Sequence, residues 1–267
     1  MSASINVDSL YSQLGLPSSP VILDIRTDAE YSASPRLIPG ARRRDPTQLG
    51  QWAPALLRSR AVAIYDTDGQ QASQPTVQAL AALGCPVSYL EGGFAGWLNA
   101  GRSTIKGRPD FNAPGGSRWV TRERPKIDRL ACPWLVRRFI DPDALFFYTP
   151  AQRVRTEAQA LGAQPYDIAD VTFSHRGPNC SFDAFLAEFD LHDESLDRLA
   201  DIVRAADTCE LGQSAQAPGL LAISLGLSAN VTDDILLLEQ AMAVYDALYS
   251  WCKIARDETH SWPKKAA

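Results

Sequence analysis

The sequence lacks the features that mark secreted, membrane-spanning and nucleic-acid-binding proteins. Its five cysteines are scattered over positions 85, 132, 180, 209 and 252 without a Cys-x-x-Cys pair, which argues against a disulfide framework and favours a reducing compartment. No stretch approaches the roughly 20 apolar residues of a membrane helix, and residues 1–8 lack the basic start and apolar run of a signal peptide. The formal charge of -5 provides no basic footprint for nucleic acid. We therefore expect a cytoplasmic protein that binds neither membranes nor nucleic acid.

The composition and length are those of a two-domain globular protein. The chain has 267 residues, of which 45% are hydrophobic and 21% are charged. Short apolar runs at 21–25, 61–65 and 87–90 predict buried strands, and residues 74–83 follow a helical period that ends at Gly84. Strand, helix and strand in this order predict an α/β domain with a parallel sheet in the first hundred residues.

Three motifs in this part of the chain occur in the order and spacing of a known family. They are Leu-Asp-Ile-Arg at 23–26 with Glu-Tyr at 30–31, Ile-Pro-Gly-Ala at 38–41, and Glu-Gly-Gly-Phe at 91–94 with Trp97. Over residues 4–104 the chain thus resembles the rhodanese (sulfurtransferase) family. The resemblance implies a small parallel sheet with flanking helices, and it assigns Asp24 and Arg26 to maintenance of the fold.

The loop that carries rhodanese catalysis departs from the family pattern. The family loop reads Cys-x-x-Gly-x-Arg-Ser, and the matching positions here are Asp66, Gly69, Gln71 and Ala72. A carboxylate cannot form the persulfide, because that intermediate requires a thiolate sulfur. We therefore expect an inactive rhodanese-like domain that serves in regulation or in contact with a protein partner. The loop amides could bind an anion ahead of the following helix, but Asp66 and Asp68 would repel it.

The rest of the chain is predicted to be a linker, a helical domain and a flexible tail. Residues 105–117 are rich in glycine and proline, which is typical of linkers. Apolar residues at three- and four-residue steps predict helices at 127–139, 194–208 and 232–253, with Asp193 and Thr232 as N-caps. The second domain is expected at 118–256, and the polar tail at 257–267.

Two polar segments of the second domain, at 122–141 and 166–182, are unusual for a helical protein. Together with residues 202–208 and 244–249, they resemble the C-terminal domain of the chromate-resistance protein family, also called a chromate-resistance exported-protein domain. The resemblance covers about 118–255 and rests mainly on Asp-Arg-x-Ala-Cys-Pro-Trp-Leu-x-Arg-Arg-Phe-Ile-Asp at 128–141. It implies a role in chromate resistance or its regulation, with chromate or a related oxyanion as a partner.

These segments contain candidate ligands for a divalent metal ion such as zinc or iron. Asp128 and Cys132 are four residues apart and share a helix face, and His175 and Cys180 are five residues apart in one loop. Carboxylates from two further helices, at Asp207 and Asp246, would complete the set. The alternative is that the cysteines are core residues, His175 anchors a loop and the aspartates are helix caps or ion-pair partners.

A second interpretation concerns arginines in the same segments. Arg129, Arg137 and Arg138 could bind a tetrahedral oxyanion through charge-assisted hydrogen bonds. The alternative is that they form ordinary ion pairs with neighbouring acids.

Three classes of function therefore remain open from the sequence. The first is a chromate-resistance accessory or sensor protein with an inactive rhodanese-like domain. The second is a metal-dependent redox or detoxification enzyme, and the third is an interaction protein without a catalytic site.

Overall fold

The computed structural model of the chain describes residues 3–56, 61–107 and 115–258. We call residues 3–107 the N-terminal region and residues 115–258 the C-terminal region. Most of the predicted linker and nearly all of the predicted tail lie outside the described residues, so the boundaries at 105–117 and 257–267 stay predictions.

The strands of the N-terminal region are β1 (Ser4–Ile5), β2 (Val21–Asp24), β3 (Arg36–Leu37), β4 (Ala41–Arg43), β5 (Val62–Tyr65), β6 (Val87–Leu90) and β7 (Ile105–Lys106). Five of them form a parallel sheet in the order β1-β6-β5-β2-β4. The three predicted strands are confirmed within one residue, and β5 is buried along its whole length. Two further short strands, β3 and β7, pair antiparallel beside it.

Helices flank this sheet and connect its parallel strands. The predicted helix at 74–83 is α4 (Ser73–Ala82), and Gly84 follows its C-cap with a φ of 83°, which is a conformation that favours glycine. The helices are α1 (Val7–Gln13), α2 (Asp28–Ala33), α3 (Leu49–Leu56), α4 (Ser73–Ala82) and α5 (Gly93–Asn99). The architecture is the rhodanese-like α/β fold that the sequence predicted.

The C-terminal region is mainly helical, as predicted, but it also contains a small parallel sheet that the sequence did not reveal. Strand β8 (Arg118–Arg122) lies between β9 (Leu145–Thr149) and β10 (Gln164–Pro165). The helices are α6 (Asp128–Leu135), α7 (Val154–Leu161), α8 (Ser181–Phe189), α9 (Glu194–Asp207), α10 (Ala217–Asn230) and α11 (Asp234–Ser250).

Two of these helices differ in detail from the sequence prediction. The helix expected at 127–139 is α-helical only to Leu135, and residues Val136–Ile140 continue it as a π-helix. Helix α11 is capped by Asp233 rather than Thr232, because the Asp233 carboxylate accepts the amide hydrogens of Ile235 and Leu236. Helix α9 is capped by Asp193, as predicted.

The two regions share one hydrophobic core. A single cluster of buried side chains includes Leu10 and Trp97 from the N-terminal region and Trp134 and Tyr249 from the C-terminal region. Ion pairs also join the regions, as between Arg36 and Asp190 at 2.7 Å. The C-terminal region is therefore held against the rhodanese-like sheet by packing as well as by charge. Within the described residues, no helix has both the length and the apolar composition that crossing a membrane requires.

Candidate functional site

The histidine and two of the aspartates singled out in the sequence meet at one point. The imidazole Nε2 of His175 lies 3.2 Å from Oδ2 of Asp128 and 3.2 Å from Oδ2 of Asp207. Each residue offers a ligand atom, and the three atoms lie within 4.8 Å of one another. Asp128 is buried, whereas the His175 side chain is 41% exposed, so the cluster opens to solvent on the histidine side. An arrangement of two carboxylate oxygens and one imidazole nitrogen can bind a divalent cation.

Separate elements bring these side chains together. Asp128 is the first residue of α6, and Asp207 is the last residue of α9. His175 lies in the loop that precedes α8. The amide of Ser181, at the start of α8, donates a hydrogen bond to Oδ2 of Asp128 at 3.3 Å. The ends of three helices therefore converge on the cluster.

The backbone immediately before Asp128 is strained. Ile127 has a φ of 42° and a ψ of -104°, which is an outlier for a β-branched residue. Two buried hydrogen bonds hold it there: its amide donates to Oγ of Ser224 at 3.0 Å, and its carbonyl accepts from the hydroxyl of Tyr245 at 2.6 Å. The structure thus fixes the Asp128 position through contacts with α10 and α11.

A third carboxylate, Asp167, completes the surroundings of His175 and was not singled out from the sequence. Its Oδ1 lies 3.5 Å from Nε2 of His175 and accepts a hydrogen bond from the Ser181 hydroxyl at 2.9 Å. Its Oδ2 faces Arg122 at 2.6 Å and Arg129 at 3.2 Å. Asp167 lies in the polar segment 166–182, but nothing in the sequence distinguishes it from Asp170 three residues later.

The cluster shifts the protonation of its members. The hydrogen bond to Asp128 raises the pKa of His175 to about 9. Burial, followed by the charge of Asp128, raises the pKa of Asp207 to about 7 and also raises the pKa of Asp167. Burial opposes ionisation of Asp128 as well, but the bonded imidazole holds the pKa of this carboxyl below its usual range. The concentrated negative charge therefore retains protons, which a bound cation would displace.

The two cysteines do not join this set of ligand atoms. Cys132 and Cys180 are both fully buried, and burial raises the pKa of each thiol. A protonated thiol is a poor ligand because metal binding requires the thiolate. Among the described residues, the grouped ligand atoms belong to Asp128, His175 and Asp207. The thiols resemble the buried core residues of the alternative interpretation.

The expectation that Asp246 belongs to the cluster is corrected by the structure. Its carboxylate accepts hydrogen bonds from the indole of Trp134 at 2.8 Å and from Nε and a terminal nitrogen of Arg138, each at 2.8 Å. These contacts engage both carboxylate oxygens. Asp246 therefore fixes α6 and the following π-helix against α11, which is an ordinary structural role.

The three arginines proposed for an oxyanion do not converge either. Arg137 pairs with Glu239 at 2.6 Å, Arg138 pairs with Asp246, and only Arg129 lies beside the cluster, through Asp167. The sequence segment is continuous, but its two ends face different parts of the molecule.

In the N-terminal region, Asp66 fills the loop in which a rhodanese binds sulfur. Its Oδ1 accepts the amide hydrogen of Gly69 at 2.5 Å, and its Oδ2 accepts those of Ala72 and Ser73 at 2.8 and 2.9 Å. Gly93 permits the loop to approach, since a Cβ there would lie 2.5 Å from the Gly69 nitrogen. The carboxylate occupies the amide cradle that would otherwise be available to an anion.

Asp24 and Arg26 have the structural role that the rhodanese resemblance implied. They form a buried ion pair at 2.6 Å, and the Arg26 guanidinium lies 4.0 Å from the ring centre of Phe94. The pair ties the end of β2 to α5.

Comparison with known proteins assigns both regions to families. The family model "ChrB, C-terminal domain" matches residues 119–252, and the model "Rhodanese-like domain" matches residues 6–100. Protein ChrB of Cupriavidus metallidurans is 37% identical over 138 residues, which cover 51% of this chain and 40% of that protein. The alignment thus spans less than half the length of this relative.

Solved structures that are similar to the chain each cover about two fifths of it. A thiosulfate sulfurtransferase from Pseudomonas aeruginosa is 29% identical, with 41% of this chain and 20% of that chain covered and a TM-score of 0.36. The Alr3790 protein from Anabaena sp. is 31% identical, with coverages of 39% and 83% and a TM-score of 0.34. A rhodanese-related protein from Thermoplasma volcanium is 24% identical, with coverages of 39% and 97% and a TM-score of 0.34.

The family model of the C-terminal region covers half of the chain, and the matched residues include Asp128, His175 and Asp207. The chain belongs to the ChrB family of chromate-resistance proteins and combines the C-terminal domain of that family with a rhodanese-like module.

Proposed function

We propose that this protein is an accessory or sensor protein of chromate resistance whose C-terminal region binds a divalent metal ion through Asp128, His175 and Asp207. The observation that supports the proposal is the convergence of these three ligand atoms within 4.8 Å. Separate roles as helix caps or as a loop anchor would not explain this convergence, because the three residues are far apart in the sequence. Carboxylate and imidazole ligands without a thiolate suit zinc, ferrous iron and similar ions.

Charge also favours a cation over an anion at this position. Three carboxylates surround the His175 nitrogen, and the pKa of His175 is raised to about 9. An oxyanion placed there would face Asp128, Asp167 and Asp207 at close range. A divalent ion would instead replace the retained protons and satisfy the carboxylates.

Metal analysis of protein purified without chelators tests the proposal. We expect about one equivalent of metal in the wild type, and loss of that metal in His175→Ala and Asp207→Asn. Two variants are matched controls: His192→Ala removes an exposed histidine that pairs with Asp190, and Asp246→Asn alters the aspartate outside the cluster. The wild type remaining free of metal after incubation with zinc, iron and manganese salts would contradict the proposal, as would unchanged metal content in His175→Ala.

Chromate binding is proposed to require the bound cation, which would offset the three carboxylates, and to involve Arg129 as the arginine of the set that lies beside the cluster. All three arginines of the set pair with carboxylates, but the partner of Arg129 is Asp167, which faces His175, whereas Arg137 and Arg138 pair with Glu239 and Asp246. Equilibrium dialysis with chromate should show weaker binding for Arg129→Gln and no change for Arg137→Gln. Equal binding by both variants would remove Arg129 from the proposal.

A metal-dependent redox or detoxification enzyme is the second candidate. The exposure of the His175 side chain favours it, because a small substrate could reach the cluster from solvent. Consumption of chromate by the metal-loaded protein in the presence of a reductant, lost in His175→Ala, would support the enzyme over the sensor. Binding without turnover would support the sensor. Absence of both metal and chromate binding would leave an interaction protein.

The rhodanese-like module is proposed to be inactive and to act in regulation or in contact with a protein partner. Asp66 stands at the nucleophile position, and its carboxylate is bonded to the loop amides. We expect no sulfur transfer from thiosulfate to cyanide above background. Asp66→Cys should recover little, since Gln71 and Ala72 replace the Arg-Ser pair of the family loop. Turnover by the wild type would contradict the assignment of Asp66.

A further inference from the structure

A cavity of about 740 Å³ lies between the rhodanese-like sheet and the C-terminal region. Strand β4, the end strand of the sheet, and helix α3 contribute to its wall, and the C-terminal region contributes Asp141 and Asp143. The candidate metal ligands are not among its lining residues. Sites for small molecules commonly have volumes of about 300–1,000 Å³. The cavity is therefore large enough for a small organic ligand.

Three consecutive arginines line this cavity, and two of them are paired with carboxylates. Arg42 forms a bidentate pair with Asp143, with Nε and a terminal nitrogen at 2.7 and 2.6 Å from the two carboxylate oxygens. Arg43 pairs with Asp28 at 2.9 Å. These two charges are thus matched within the protein, and the third arginine is Arg44.

The Arg44 guanidinium has no carboxylate partner among the described residues. Its position is fixed by the main chain, because the Arg44 amide donates to the carbonyl of Asp24 at 2.8 Å. Within the described part of the chain, the side chain makes one hydrogen bond, from a terminal nitrogen to the Arg43 carbonyl at 2.8 Å. A guanidinium has five N–H groups. Covering the open edge of β4 accounts for one of them, so four remain for a ligand.

The charge of Arg44 is held in an unfavourable position. The residue is half-buried. Burial, followed by the charge of Arg42, lowers the pKa of the Arg44 guanidinium, and the more distant Asp143 and Asp141 offset only part of this effect. A buried charge without a partner is costly. An anion bound from solvent would supply the missing partner.

Apolar side chains form another part of the wall. Trp52 and Leu56 of α3 line the cavity together with Ile140. The indole N–H of Trp52 donates to the carbonyl of Asp45 at 2.8 Å, which fixes the ring. Apolar walls combined with a few fixed polar groups are typical of sites for small organic molecules. The cavity therefore suits a ligand that has one anionic group and an apolar body.

The balance of charge favours a carboxylate over a phosphate. Three arginines and three aspartates line the cavity, so its charged groups are equal in number. One carboxylate matches the one unpaired guanidinium and can accept two parallel hydrogen bonds from it. A phosphate dianion would bring a second negative charge towards Asp141 and Asp143, which would repel it.

We propose that this cavity binds a small organic carboxylate, whose carboxylate group is held by Arg44 and whose apolar body packs against Trp52 and Leu56. The site differs from the metal cluster in position and in the charge of its ligand. It gives the rhodanese-like module a binding role that does not depend on the missing cysteine. Because Ile140 also lines the cavity, the ligand would contact both regions.

Isothermal titration of the full chain with benzoate tests the proposal, because benzoate combines one carboxylate with an apolar ring. We expect sub-millimolar binding, at least about tenfold tighter than that of acetate, which lacks the ring, or benzamide, which lacks the charge. Arg44→Gln should weaken benzoate binding at least about tenfold. Arg118→Gln is the matched control, since Arg118 also donates to a backbone carbonyl but lies outside the cavity.

A volume-filling variant tests the cavity without altering its charge. Ala55 is an exposed residue of α3 that lines the cavity. Ala55→Trp should abolish benzoate binding, because the indole would occupy the space of the ligand. Ala81→Trp, at an exposed position of α4 outside the cavity, should leave binding unchanged.

This proposal and the metal proposal can fail separately. His175→Ala should lose the metal ion and still bind benzoate as the wild type does. Loss of benzoate binding in His175→Ala would place the ligand at the metal cluster and overturn the proposal. A wild type that does not bind benzoate, or binding that survives both Arg44→Gln and Ala55→Trp, would also overturn it. Tighter binding of inorganic phosphate than of benzoate would reject the carboxylate.

Discussion

The hydroxyl of Tyr245 donates a hydrogen bond of 2.6 Å to the carbonyl of Ile127, the residue that immediately precedes the first candidate metal ligand. Tyr245 is buried, and Ile127 has a strained backbone with a φ of 42°. The bond links the central part of α11 to the start of α6. It holds the backbone that presents the Asp128 carboxylate to His175.

Removing this hydroxyl should weaken both the fold and the cluster. Tyr245→Phe removes the side-chain donor to the Ile127 carbonyl, which still accepts the amide hydrogens of Leu130 and Ala131. The free energy of unfolding should therefore fall by about 0.5–1.5 kcal/mol. It should also lower the affinity for a divalent ion, because the Asp128 position loses its support. Denaturant unfolding and metal titration measure the two effects.

Tyr249 provides a control on the same helix. Its hydroxyl is buried and has no hydrogen-bond partner within the part of the chain that the structure describes. Tyr249→Phe should therefore be neutral or slightly stabilising. Equal losses in Tyr245→Phe and Tyr249→Phe would show that the bond to Ile127 is unimportant.

The carboxylate of Asp66, which stands at the nucleophile position of a rhodanese, should stabilise the fold through its hydrogen bonds to the loop amides. Asp66→Ala would orphan the amides of Gly69, Ala72 and Ser73, and we expect a loss of about 1–3 kcal/mol in the free energy of unfolding. Asp68→Ala is the matched control, since Asp68 is exposed and caps one amide of the same loop. Its effect should stay within about 0.5 kcal/mol. Unchanged stability in Asp66→Ala would mean that the loop amides find other partners.

The parts of the fold set by local pattern could be predicted from the sequence. The buried runs around Ile64 and the helical period before Gly84 depend on neighbours in the chain, and both were found where the pattern placed them. The small sheet around β8 was missed. Its central strand has a polar residue at each end, and β10 has only two residues, so no sustained alternation marks it.

The candidate site could be predicted only in part, for a geometrical reason. Sequence indicated His175, Asp128 and Asp207 as chemically suited, and the structure brings them together. It could not indicate that Asp246 lies against Trp134, because that depends on how α11 is rotated in the packed core. The sequence could not single out Asp167 either. The folded loop imposes a φ of 51° on this residue, and the local sequence does not reveal that conformation.

Proteolysis in the glycine- and proline-rich stretch between the regions should nick the protein without separating it. The sequence predicts cleavage within 105–117 and two folded pieces. The shared core and the ion pair between Arg36 and Asp190 predict that the pieces stay associated. Size-exclusion chromatography should give one peak under native conditions, and denaturing electrophoresis of that peak should give two bands. Two separate peaks under native conditions would show that the shared core is not sufficient to keep the two regions associated after cleavage.

The contact between Lys253 and α1 should make stability depend on pH in the alkaline range. The Lys253 ammonium donates hydrogen bonds to the carbonyls of Tyr11 and Leu14 at 2.9 and 2.8 Å. Burial lowers its pKa from 10.5 to about 8. Between these values the unfolded chain binds more protons than the folded chain, so this group makes the free energy of unfolding rise with pH. Below pH 8 both states are protonated and the contribution is constant.

Comparison with Lys253→Met isolates this contribution from those of other titrating groups. His175, whose raised pKa has the opposite effect on stability as pH rises, is present in both proteins and cancels in the difference. We expect the free energy of unfolding of the wild type to increase relative to Lys253→Met from pH 8 to pH 10, and to show a constant difference from pH 6 to pH 7.5. Urea unfolding at matched ionic strength measures both series. If the difference in the free energy of unfolding between the two proteins stayed constant up to pH 10, the Lys253 amine would be in contact with solvent rather than with the end of α1.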